Sequence, residues 1–393
     1  MKLFDLRKTS NNGFKIYDIL DDVIIYGQEI ADFDGVMFGV YSFDNTSGEN
    51  NLIYKYKISP GRVHENYVKI FDDKMIHINT ELQGKIIIRS LNLFDSEEDI
   101  SAKEISYRGN LYRSPTYIDE NHFILFTESN ENLSPEYDRY KDAIDYYKFA
   151  ELIDIRNLSK TFISDLRIIN GIRRHLTTFV KGKEEFILFE ESYLDEWERE
   201  DLYNRDKVNT IMKNLTIESI NIISKDKLLK DIKKSTRDIE FIEIESRSFD
   251  GWCRYLGQTK KEIMYTVKDF ESKIESIYAY DIESGQSELL STLDHHNYLG
   301  RLIHNKKDKS IIELLEKEKT ICVKGLFNST IDYEYEKGLG HFVGLSGDNI
   351  ITWYSKSDDY YYKEKVVLID SKTGETRKYD GHYKKFKQNI VLF

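Results

Sequence analysis

The chain has 393 residues, 32% of them charged, with a net charge of −12 at pH 7. Such an acidic balance repels a phosphate backbone, so nucleic acid is not an expected partner. No apolar run approaches the ~20 residues that span a bilayer, and the opening Met-Lys-Leu-Phe-Asp-Leu-Arg has charges where a secretory leader needs an apolar core. No membrane partner is expected, and the location expected is cytoplasmic.

Composition favours sheet. There are 28 Tyr and 21 Phe against 3 Pro, a mixture that suits strands half buried on pleated faces. The two cysteines, Cys253 and Cys322, fall in different strand-like segments without metal-ligand spacing, so two unpaired structural thiols are expected.

In chain order, apolar residues alternate with polar ones in short runs separated by turn signals. Lys2–Leu6 and Phe14–Ile19 are the first such runs. A unit then begins near Asp22, with strands predicted at Val23–Tyr26, Gly35–Tyr41, Asn51–Ile58 and Arg62–His64. Further units begin near Tyr67, Arg113, Ile168, Glu240, His296 and Gly340. Where no long loop intervenes, their spacing is the ~40–50 residues of a β-propeller blade. After the seventh unit, His382–Phe386 and Asn389–Phe393 supply two more strands. Joined to the two N-terminal runs, they complete one blade, which protects the sheet edges that an open array would leave bare. The expectation is one all-β domain over residues 1–393: a β-propeller of eight four-stranded blades, closed by strands from both chain ends, with seven blades as the alternative count.

Two of the units share a detail. Tyr278-Ala-Tyr-Asp-Ile-Glu-Ser-Gly285 and Val367-Leu-Ile-Asp-Ser-Lys-Thr-Gly374 each carry a strand that ends in Asp and runs into a Gly-containing turn. This pattern resembles the third strand and following turn of TolB-like β-propeller blades. The resemblance implies a propeller and leaves its task open, since such propellers serve as binding platforms, as accessory domains of peptidases, and in some families as hydrolases or lyases. There is no Gly-His to Trp-Asp pairing of the WD-repeat kind.

Insertions at 130–148 and 192–215 interrupt the period, each between the second and third strands of its unit. The second has a helical pattern, Leu194, Trp197, Leu202 and Tyr203 among dense charges, with Ser192 in the place of an N-cap. Second-to-third hairpins of neighbouring blades leave from one face, so both insertions are expected on it.

Candidate chemistry gathers there. Predicted second strands end in acid, with Glu190 and Glu191 in the fourth unit and Asp358 and Asp359 in the seventh, which would favour a cation or a basic partner. His295 and His296, and His341 opening the next unit, are expected at the same face. Trp197, Trp353 and Tyr354 supply rings beside those carboxylates. Gly344-Leu-Ser-Gly347 lacks a residue of the nucleophile elbow Gly-x-Ser-x-Gly, so Ser346 is read as a turn residue. The reading favoured is a monomeric, non-enzymatic propeller without a cofactor that presents this face to a protein or peptide. The alternative is a metal-dependent hydrolase or lyase holding a divalent cation at the mouth of the central channel.

Overall fold

The computed structural model describes residues 3–9, 14–33, 35–72, 74–93, 101–131, 147–165, 167–194, 216–248, 250–294, 301–305, 310–327, 329–346, 348–358, 361–386 and 389–393. Strand β1 (Leu3–Asp5) precedes a first blade of β2 (Lys15–Leu20), β3 (Val23–Asp32), β4 (Gly35–Asp44) and β5 (Asn50–Ile58). The second blade is β6 (Asn66–Phe71), β7 (Lys74–Asn79), β8 (Lys85–Asn92) and β9 (Ser101–Ser106). In the third, two short strands, β10 (Asn110–Leu111) and β11 (Thr116–Tyr117), share the first position, followed by β12 (His122–Ser129), β13 (Tyr147–Asp154) and β14 (Ser159–Phe162). The fourth is β15 (Ile172–Lys181), β16 (Glu184–Leu194), β17 (Thr216–Ser224) and β18 (Ile242–Arg247), with helix α1 (Lys225–Lys233) between its last two strands. The fifth is β19 (Gly251–Gln258), β20 (Glu262–Asp269), β21 (Ile274–Asp281) and β22 (Ser287–Asp294). The sixth is β23 (Arg301–Asn305), β24 (Ser310–Glu316), β25 (Thr320–Phe327) and β26 (Asp332–Glu336). The seventh is β27 (His341–Ser346), β28 (Asn349–Asp358), β29 (Tyr361–Asp370) and β30 (Thr376–Asp380). Finally β31 (Tyr383–Phe386) and β32 (Asn389–Leu392) join β1 in an eighth sheet. The fold is an eight-bladed β-propeller in which the N- and C-terminal strands share a blade.

The chain forms two compact units, one of residues 1–64 with 294–393 and one of residues 65–293. In the first unit, the shared blade differs from expectation in one strand. Phe14–Ile19 does not complete it; β2 pairs instead with β3, Leu20 opposite Val23, across the two-residue turn Asp21-Asp22. Every strand of the first blade is therefore shifted by one position. Arg62–His64 belongs to no strand, and Val63–Glu65 forms a short 3-10 turn.

Strand β1 pairs with β32 in parallel, Leu3 opposite Ile390 and Asp5 opposite Leu392. Strands within a blade alternate in direction, so a third-position strand parallel to the second runs as a fourth strand ordinarily does. The chain therefore leaves β1 for β2 in the same sense as it leaves any other blade for the next. The period of two then decides which face each β32 residue serves. Val391 packs with Phe4, Phe14, Ile24 and Tyr26 toward the first blade, while Ile390 and Leu392 pack with Val343, Ile351 and Val366 toward the seventh.

The unit of residues 65–293 is built the same way. Phe123 and Leu125 of β12 pack on Ile76, Ile78 and Ile88 of the second blade, and their neighbours Ile124 and Phe126 pack with Ile187 and Phe189 of the fourth. On β16 the alternation continues, with Phe186 and Leu188 lying against Cys253, Tyr255 and Tyr265 of the fifth blade. Burying such side chains on both faces contributes on the order of 1.5–3 kcal/mol each. Helix α1 adds Leu228 and Ile232, four residues apart on one face, to the core between the third and fourth blades. Its Asp226 in the first turn and Lys230 and Lys233 in the last suit the helix dipole.

The Asp-to-Gly turn recurs more widely than its two legible copies. The Asp281 carboxylate accepts the N–H of Ser284, that of Asp370 accepts those of Lys372 and Thr373, and Gly285 and Gly374 adopt φ of 71° and 75°. Asp44 accepts the N–H groups of Thr46 and Ser47 ahead of Gly48, also at φ 75°. Asp154 accepts the N–H of Arg156, with Leu158 at φ 61° where the others have Gly. In each, the fifth residue donates its N–H back to the Asp carbonyl, at 2.8 to 2.9 Å. The third strand is thereby ended by its own side chain.

Candidate functional site

In the unit of residues 65–293, four consecutive blades turn from second to third strand along one edge, because packed neighbours run in the same sense. The second blade turns at Thr80–Gly84 and exposes Leu82, 48% accessible. In the third, paired residues reach Ser129 opposite Tyr147 before the insertion. In the fourth they reach Leu194 opposite Thr216. The fifth turns at 270–273, where Phe270 is 46% accessible and Ile274, opening β21, is 40% accessible. The edge thus carries two long insertions flanked on both sides by hairpins whose ends hold exposed apolar side chains.

The pairing of β16 with β17 corrects the local reading of the second insertion. Ser192 lies in β16 opposite Glu218, so it is a strand residue and not a helix N-cap. The same pairing relocates two candidate residues. Glu190 and Glu191 sit inside β16, not at its end, and are 5% and 2% accessible. As strand neighbours they face opposite ways. The Glu190 charge acts on Cys253 and Tyr255 of the fifth blade, whereas Glu191 turns toward Asp165 and Arg167 between the third and fourth blades.

Glu191 has the more informative setting. Its Oε2 accepts from Asn221 Nδ2 at 2.9 Å and from Ser219 Oγ at 3.4 Å, and Oε1 has no hydrogen-bond partner among the described residues. Burial pushes its carboxyl up to about 7, against the nearby Arg167 charge, which opposes the rise. Asp165 is itself satisfied. It accepts N–H bonds from Arg167 and Ile239, and the Arg167 guanidinium lies 4.4 Å from the Phe241 ring.

Trp197, Asp359, His295 and His296 lie outside the described residues. In the unit of residues 1–64 with 294–393, His341 opens β27 as an exposed residue paired with Trp353, and its charge acts on Glu316. Trp353 is packed rather than displayed: its Nε1 donates to Glu364 at 3.3 Å and its ring lies 5.9 Å from that of Tyr383. Tyr354 is half-buried opposite Lys365, and Asp358 ends β28 opposite Tyr361. The structure therefore brings Trp353 and His341 together across one strand pair and takes Trp353 into packing. Among the described residues no group of three or more His, Cys, Asp or Glu side chains is placed to hold a metal ion. No helix among them is long and apolar enough to cross a membrane.

Leu82, Phe270 and Ile274 were not legible as site residues. The available signal was an apolar residue in, or beside, a segment otherwise made of turn formers, as in Thr80-Glu-Leu-Gln-Gly84.

No protein family profile and no curated protein matches the chain. Among solved structures, it is similar to the acylaminoacyl peptidase of Pyrococcus horikoshii, at 12% identity and a TM-score of 0.43, over 94% of this chain and 53% of the peptidase. The chain thus spans about half the length of that enzyme. It is also similar to the β-propeller domain of the Trilobed protease from Pyrococcus furiosus (11% identity, TM-score 0.40, 96% of each chain). A third similarity is to TolB from Acinetobacter baumannii, at 11% identity and a TM-score of 0.29, over 94% of this chain and 82% of TolB.

Proposed function

We propose that this propeller is a non-enzymatic binding module that engages a protein or peptide through the second-to-third hairpin edge of its unit of residues 65–293. One observation carries the reading. The two long insertions leave neighbouring blades, and the hairpins on either side of them hold Leu82, Phe270 and Ile274 at 40% to 48% accessibility. Scattered exposed apolar residues are ordinary on a protein surface; their placement at equivalent hairpins beside long loops is what favours recognition. Exposed apolar side chains at loop tips, held by rigid sheets, can bury area against a partner with little loss of order in the scaffold.

Affinity capture from native lysate, comparing the full chain with a variant in which a short Gly-Ser link replaces 195–215 and with the Leu82→Ser, Phe270→Ser double variant, tests the reading. Partners held by the full chain and lost from both variants support it; identical partner lists for all three count against it. Stoichiometric Ca, Mn or Zn in the purified protein by elemental analysis would favour the metal-dependent alternative.

A further inference from the structure

On the third blade a cleft of about 340 Å³ is lined by Arg108, Thr127, Glu151, Lys160 and Phe162. That is the size of a small-ligand pocket. Its floor is unusual for a strand face. Glu151 occupies an inward position of β13 opposite Leu125, is 8% accessible, and receives no hydrogen bond among the described residues. Its own strand offers nothing to it, and the counter-charge that acts on it, Lys160, already donates its ammonium to the Ser106 carbonyl at 2.7 Å. A buried carboxylate without a donor is costly, and an incoming ammonium would remove that cost.

The rim supplies the complementary groups. Arg108 is exposed and its guanidinium makes no hydrogen bond or ion pair among the described residues. Its backbone is set by the next residue. Gly109 has φ 81° and passes so close to β12 that a Cβ there would lie 2.3 Å from the Glu128 carbonyl oxygen. The exposed Arg108 guanidinium lines the cleft as a free planar fork, the geometry that favours a carboxylate. Phe162, at 42% accessibility, presents an apolar ring in the same cleft, and Thr127 brings a hydroxyl.

We propose that this cleft binds a free α-amino acid with an apolar side chain, its ammonium on Glu151, its carboxylate on Arg108 and its side chain against Phe162. The site is independent of the hairpin edge and of any partner bound there. A zwitterionic ligand satisfies Glu151 and Arg108 together, which neither a simple amine nor a simple acid does.

The test is titration calorimetry of the full chain with L-phenylalanine and L-leucine, alongside phenethylamine and 3-phenylpropionate, which each lack one charged group. Saturable binding of the amino acids is expected, weakened at least about tenfold by loss of either group from the ligand, by Glu151→Gln, and by Arg108→Ala. Arg108 is exposed, so its variant reports on the site even if Glu151→Gln disturbs folding. The proposal is overturned if neither amino acid binds saturably, if 3-phenylpropionate or phenethylamine binds as tightly as phenylalanine, or if Arg108→Ala leaves affinity unchanged.

Discussion

The backbone N–H of Leu6 donates to the carbonyl of Leu392 across 2.8 Å, extending the parallel pairing of the two chain ends by one residue. Around it, the Arg7 guanidinium reaches the Asp380 carbonyl at 3.1 Å, and the rings of Phe14 and Phe393 meet edge to face at 4.7 Å. Lys384 lies over Phe14 at 4.1 Å and over Phe393 at 5.2 Å.

Charging this seam should break it. Val391 is fully buried between Phe4, Phe14 and Tyr26, so Val391→Asp would place a carboxylate among apolar side chains and lower the thermal midpoint by many degrees. Val391→Ala, which creates a small cavity and no buried charge, should cost far less. Calorimetric scans of the two variants decide it, and equal midpoints would mean that the shared blade contributes little.

Glu191 should make stability fall with rising pH. Its carboxyl is pushed up to about 7 from an ordinary 4.5, so the folded chain holds a proton that the unfolded chain releases. The resulting stabilisation is fully present below pH 4.5 and is lost as pH rises through about 7. The whole effect is on the order of 3 kcal/mol. Glu191→Gln keeps an oxygen for Asn221 and Ser219 and cannot ionise. In urea titrations at successive pH values, the variant should gain on the parent between pH 5 and pH 8; a gap that does not change with pH would contradict this.

Asp154 has the opposite sign. Hydrogen bonds and the charge of Arg156 hold its carboxyl at about 2, below the ordinary 3.8. The stability it brings is complete above pH 3.8 and disappears as pH falls through about 2. Asp154→Asn should therefore unfold at a higher pH than the parent in an acid titration followed by circular dichroism. The same acid midpoint in both would show that the turn stands without the charge.

The cysteines should separate by reactivity. Burial pushes both thiols up, but Cys253 is 1% accessible whereas Cys322 is half-buried. A chromogenic disulfide reagent should modify Cys322 of the native protein and reach Cys253 after denaturation. Rapid native loss of both thiols would indicate that the packing of Cys253 opens readily.

Most of the architecture was legible, because alternation along strands such as His122-Phe-Ile-Leu-Phe-Thr127 reports directly on two buried faces. Blade boundaries were less so. A hairpin turn and a blade-to-blade crossing use the same polar residues, and the decisive signal, Asp21-Asp22 between two apolar runs with Asp21 at φ 50°, lacks the glycine that usually marks a two-residue hairpin. Glu190 and Glu191 were misplaced for a related reason. Charge in sequence signals a strand end, and only the pairing with Ser219 and Asn221 on the neighbouring strand shows that Glu191 lies inside. The cleft on the third blade was invisible because its residues come from four separate segments.

The parallel seating of Leu3–Asp5 beside Asn389–Leu392 has a bearing on biosynthesis. Leu3–Asp5 is made almost 390 residues ahead of its partner, so it must wait, unpaired and apolar, until Asn389–Leu392 has been synthesised. Local hairpins can form as they emerge, but this contact carries a far greater loop-closure entropy and forms after them. A chain stalled before Asn389–Leu392 would leave Phe4 and Leu6 uncovered and open to aggregation or to holding by chaperones.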